Sequence, residues 1–236
     1  MRSKARTLLG FESANMAPQW RHRGLASSKV SDLFPPGAVP LSEERMASHI
    51  APVAIRRDFD ASRLAAPPDD ATLNAADEDG AFDGNRAFIN LRGMDWADVA
   101  ETLKMERGLL ARLEAAVDLD DEQEAITEEL VAEYGVGALW SLDPGVASAT
   151  IALSALGATP VASCNGGVLG GQHKEAYPLV AFYLPITAAA GVNALAEAAG
   201  IGLLIDDHGR GQIYAQSCQG LVKFAELALA GRQLTS

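Results

Sequence analysis

The sequence predicts an α+β domain: a four-stranded, mainly antiparallel sheet with helices packed on one face, preceded by a helical pair and a poorly ordered N-terminal arm. Three observations predict it. From Met94 onward, apolar residues recur at three- and four-residue steps, the spacing of an amphipathic helix. After Asp143, four short apolar runs come in two pairs, each pair joined by a turn-forming loop. The resulting order, α-β-β-α-β-β-α, lacks the strand–helix alternation of a doubly wound parallel sheet.

Residues 1–85 form the arm. "LFPPGAVP", "LAAPPDD" and "NAADEDGAFDGN" are rich in Pro, Ala, Asp and Gly and carry no sustained period. Such segments bury too little apolar surface to offset chain entropy. The first 30 residues hold six Lys or Arg and one acid, Glu12, without the apolar centre of a secretory signal. Met16 and Met46 are later candidate starts.

Residues 86–137 form the helical segment. Trp96, Val99, Leu103, Leu110, Leu113 and Val117 make the stripe of its first helix, and Asp95 suits the N-cap. Gly108 weakens the middle by about 1 kcal/mol relative to Ala. "DDEQEAITEELVAEYG" supplies a second helix with Ile126, Leu130 and Tyr134 on one side. Eight acids and no Lys or Arg lie between Asp118 and Glu133, the pattern of a solvated face or a partner surface.

Residues 138–236 form the α+β core domain. In "SLDPGVASATIALSALG", Asp143 suits the N-cap, Pro144 the first helical position and Gly157 the stop. "ATPVAS" reads as a strand, and "PLVAFYL" as a buried one. Thr187 suits the cap of a helix ended by Gly200. "IGLLI" and "QIYAQ" flank the turn "DDHGRG" and make a hairpin. Ser217 opens a last helix, through Leu229, that Gly231 stops.

Charge and composition narrow the function classes. The net charge of −12 argues against binding a nucleic-acid backbone. No apolar run reaches the roughly 20 residues that span a bilayer. Cys164 and Cys218 are too few for a disulfide scaffold, so reduced thiols in a cytoplasm are expected.

The chemistry concentrates in "VASCNGGVLGGQHKE", residues 161–175. Cys164, His173 and Glu175 are the candidate catalytic groups: thiol nucleophile, base, and the carboxylate that orients it. Ser163, Asn165, Gly166, Gly167, Gly170 and Gly171 are the candidate binding groups, because glycine-rich backbone can gather amides around an anion. The other reading of Cys164 is a small buried side chain at a strand end. The loop is longer than the two to five residues a hairpin needs. It is neither a dinucleotide fingerprint nor a Walker loop, and no P-C-x-x-C follows the H-x-E of His173 and Glu175 to make a deaminase zinc site. Cys164, His173, His208 and Cys218 match no tight zinc-ligand spacing. Arg210 would face an anionic ligand if both hairpin loops shared one end of the sheet, and Tyr177 would stack on its ring.

The stretch 138–217 resembles a family of uncharacterised bacterial proteins with an S-C-N-G-G loop followed by G-G-x-H-x-E, carried here by Ser163 to Gly167 and by Gly170, Gly171, His173 and Glu175. "LDP", a helix and a strand running into Ser163, Cys164 and Gly166 also resemble, more distantly, the wybutosine-synthesis methyltransferases of tRNA, which are linked to S-adenosylmethionine. The Arg that ends their motif is Gly167 here. Together these readings imply a small anionic molecule or nucleotide bound or modified at the Cys164–Glu175 loop, with the cofactor unassigned. The alternative is a non-enzymatic module that meets a protein partner.

Overall fold

A computed structural model of the chain describes residues 53–134, 139–166 and 175–233. The described residues lie within one compact unit. Strand β1 (Arg57–Asp58) and helix α1 (Asp70–Asp79) come first. They are followed by α2 (Trp96–Ala115), α3 (Leu119–Tyr134) and α4 (Ala147–Ala155). Strands β2 (Thr159–Cys164) and β3 (Leu179–Tyr183) precede α5 (Ala189–Ala199). The hairpin β4 (Gly202–Ile205) and β5 (Gly211–Tyr214) leads to α6 (Cys218–Gln233).

The α+β class and both hairpins are present. The sheet, however, has five strands in the order β1-β4-β5-β3-β2 and is mixed, because β1 pairs parallel with β4. The expected arm before residue 53 lies outside the described residues, but its later part is built into the fold. The two residues of β1 are too few to show a period. Helix α1 buries just Leu73 and Ala76, a stripe too thin to read from sequence. Asp69 caps its start by accepting the Thr72 amide at 2.8 Å.

Alternation along β3 divides the core. Val180 and Phe182 face the main cluster with Leu203, Ile213 and residues of α2, α4, α5 and α6. Ala181 faces the other side, where α1 covers it through Leu73 and Ala76, together with Phe88 and Val161. Helices therefore pack mainly, but not wholly, on one face. Each fully buried Leu, Ile or Phe of this core is worth about 1.5–3 kcal/mol.

Four expected helix boundaries move. Asp95 caps α2, as expected, and Asp98 completes a capping box, but α2 ends at Ala115, and Val117 is 103% exposed rather than part of its stripe. A turn of 3-10 helix at Ile186–Ala188 leads into α5 without a side-chain cap from Thr187. α6 runs through Gly231 to Gln233, past the stop expected at Gly231. α4 begins at Ala147, not Pro144, because Gly145 adopts φ +93° and breaks the turn before it.

Gly202 shows why β1 can join the sheet. It pairs with Tyr214, and a Cβ there would lie 2.2 Å from the Tyr214 ring. The ring crosses this bare backbone and reaches the chain ahead of β1. Its hydroxyl accepts the Arg56 amide at 2.8 Å and donates to the Ala54 carbonyl at 3.1 Å. Tyr214→Phe should leave the core intact, lower stability by about 1 kcal/mol, and speed proteolysis ahead of Arg57. Urea titration and timed limited digestion check both outcomes.

Candidate functional site

The site begins with a charge in the wrong place. Glu106 sits on the apolar face of α2, one turn after Leu103 and one turn before Leu110, and is 0% exposed. Its Oε1 accepts the amides of Gly145 at 2.7 Å and Ala147 at 2.8 Å. Its Oε2 accepts the Ser148 amide at 3.1 Å and also the Ser148 hydroxyl. The carboxylate thus fills the N-terminus of α4, where unpaired amides and the helix dipole favour negative charge. Burial pushes the Glu106 pKa above its ordinary value, and the bonds from Ser148, Gly145 and Ala147 pull the other way.

The turn that presents these amides is closed by Cys218. A Cβ on Gly145 would stand 2.3 Å from Cys218 Sγ, so the turn passes against α6 without a side chain. Cys218 is fully buried, and its thiol donates to the Asn165 carbonyl at 3.9 Å. Asn165, 1% exposed, donates from Nδ2 to the Pro144 carbonyl at 3.2 Å. Burial first, then the carboxylates of Glu106 and Asp143, push the Cys218 pKa far up, so this group stays a thiol. "LDPG" and "SCNG" are therefore two halves of one knot.

Directly beyond the knot lies the neck of the 164–175 loop. Cys164 ends β2 opposite Leu179 of β3 and is 9% exposed. Its Sγ accepts the Gly166 amide at 3.4 Å and also the backbone amide of Glu175, so one sulfur holds both ends of the loop. Gly166 has φ +72°, and a Cβ there would come within 2.9 Å of the Tyr177 backbone. Tyr177 packs on Tyr214, with ring centroids 5.4 Å apart. Burial pushes the Cys164 pKa up, and the carboxylates of Asp143 and Glu175 push it the same way against the two amides. At neutral pH the group is a thiol.

Cys164, Asn165, Gly166 and Glu175 are thus brought together at the neck, with Asn165 engaged in the knot rather than open to a ligand, while Ser163 lines a space beside β2. Gly167, Gly170, Gly171 and His173 lie outside the described residues. The two hairpin loops fall at opposite ends of the sheet, because Leu179 pairs with Tyr214 while Phe182 pairs with Gly211. Arg210 therefore does not face the loop. It is tied to Asp206 at 2.7 Å and to Asp83 at 2.8 Å. His208 and Cys218 are separated by the length of β5, and no group of three or more His, Cys, Asp or Glu is placed to hold a metal among the described residues. The sequence reading missed Glu106, although a gap in the α2 stripe between Leu103 and Leu110 marks its place.

No family model, no curated protein and no solved structure matches the chain.

Two measurements check these assignments. A carboxyl whose pKa is raised on folding is bound by its proton more tightly in the native state, so its contribution to stability is full below its unfolded value, near 4.5, and is lost as pH rises through the raised native value. In urea titrations from pH 5 to 8, the margin of the wild type over Glu106→Gln should be widest at pH 5 and shrink toward pH 8. A margin that grows with pH would show that the amides outweigh burial. Separately, Cys164 in a Cys218→Ala background should react with iodoacetamide more slowly than free cysteine at pH 7.5, its rate still climbing above pH 9, when followed by intact mass.

Proposed function

We propose that the chain binds a small anionic molecule or nucleotide at the loop that leaves β2 at Cys164 and returns at Glu175. The neck carries this reading. A single sulfur gathers the Gly166 and Glu175 amides, and the Asn165–Pro144 and Cys218–Asn165 bonds anchor the base. A long glycine-rich loop on a fixed base is the usual arrangement of a binding loop. Backbone amides of its glycines would hold the anion. Asp143 and Glu175 would keep that anion away from the neck, and α4 offers it nothing, since Glu106 already occupies those amides.

Because Cys164 rests as a thiol, binding is favoured over covalent modification by a thiolate. Cys164 then acts as a positioning residue for the loop. A second reading, a module that meets a basic protein partner, is favoured by α3. Arg112 pairs with Glu122 and Glu129, while Asp120, Asp121, Glu124 and Glu128 remain exposed beside Val131.

Thermal unfolding with inorganic phosphate, AMP and ATP as probes separates the two. One of these anions should raise the melting temperature of the wild type, by an amount equivalent to about 2.7 kcal/mol at a hundredfold excess over Kd. Cys164→Ala should melt cooperatively without ligand and lose that rise. Absence of any shift, or a shift that survives Cys164→Ala, overturns the loop reading.

A further inference from the structure

Helix α3 is lightly attached. From Leu119 to Glu133, Ile126 alone is buried, at 3% exposure. With Leu119 and Leu130 it packs on Met105, Leu109, Leu113 and Leu139. This cluster is separate from the main core, which grips another side of α2 through Val99, Leu103 and Leu110. α2 therefore keeps its seat without α3. By contrast, α6 places Leu221, Phe224 and Ala225 fully inside the main core.

Both joints of α3 stand apart from that packing. Ahead of it, Val117 is wholly in solvent, so its side chain does nothing to restrain the link from α2. Asp118 caps α3 from within the link, accepting the amides of Asp120 at 3.0 Å and Asp121 at 3.2 Å. That cap travels with the helix. Beyond α3, Trp140 is fixed to α2 by donating from Nε1 to Thr102 Oγ1 at 3.0 Å. α3 is thus a strap between two anchored points.

Charge loosens the strap. Asp120, Glu124 and Glu128 form an exposed like-charge row at four-residue spacing, which costs helix stability. The last turn holds Glu133 and no base, against the helix dipole. Arg112 of α2 offsets part of this. It pairs with Glu122 at 2.8 Å and with Glu129 at 2.5 Å, two turns further along α3.

We propose that α3 is a hinged cover, clamped by Arg112, that opens as a unit ahead of the rest of the fold and bares an apolar groove on α2 lined by Met105, Leu109 and Leu113. Segments with few buried apolar contacts open at the low end of a protein's range of local stabilities. The opening leaves the sheet and the bonds of Glu106 to the start of α4 in place, since α3 contributes no residue to either.

Hydrogen exchange of the full chain, read by mass spectrometry and corrected for intrinsic rates, tests this. Peptides from the middle of α3 should exchange about tenfold faster, or more, than those of β3 and the middle of α6. Arg112→Gln should raise the α3 rate about threefold and leave the β3 and α6 rates unchanged. The same variant should speed oxidation of Met105 by dilute hydrogen peroxide, a readout of the bared groove rather than of a frayed helix. Exchange of α3 at the pace of β3 and α6 overturns the proposal. So does an α3 rate that Arg112→Gln leaves unchanged, or a faster α3 rate in that variant without faster oxidation of Met105. The comparison of α3 with β3 and α6 in the wild type decides the matter even if the variant fails to fold.

Discussion

The carboxylate of Glu106 is the interaction on which the rest of the structure depends. It carries a charge into the interior of a mainly apolar seam between α2, α4 and α6. An isolated buried charge would be costly, but here it meets three backbone amides and a hydroxyl at one helix start. The benefit is mutual: α4 begins without a side-chain cap of its own, and the glutamate supplies what a local Asp or Ser normally would. Because the cap comes from another helix, the start of α4, the register of α2 and the Gly145 turn are set together.

From that knot the geometry passes outward in short steps. Gly145 lets the turn press against Cys218, Cys218 reaches Asn165, and Asn165 returns to Pro144. The next residue back in the strand, Cys164, grips both ends of the loop. A residue deep in the core thus positions a loop neck at the end of the sheet. The three carboxylates around these thiols have a chemical consequence. After burial, the larger effect, they help hold both sulfurs in the protonated form, so the thiols serve as hydrogen-bonding spacers in a negative field.

Much of the fold was legible because its signals are local. The N-cap at Asp95 and the stops at Gly157 and Gly200 each depend on a few neighbouring residues. The "DDHGRG" turn does too, and its Asp206 side chain accepts the amides of His208 and Arg210. Other elements had no local signal. β1 is two residues long and exists because β4 offers it an edge and Tyr214 ties down the chain ahead of it. α1 has a thin apolar stripe and is held by the far face of the sheet. Asp143 looked like a helix cap by position, yet the cap came from a residue 37 positions earlier.

The candidate site divides in the same way. Sequence alone determined that thiol, glycines and carboxylate cluster between two strands, because residue type and spacing are written directly in the chain. It also determined the acidic balance and the continuous apolar run that makes β3 a buried strand. Only the tertiary structure decided that Cys164 is a buried thiol at a loop neck, that Arg210 stands at the far end of the sheet, and that Asp143 lies near both thiols. The reason is physical. A pKa, a neighbouring charge and a cap from a distant helix all depend on which groups meet across space, and such meetings are set by packing among elements far apart in the chain.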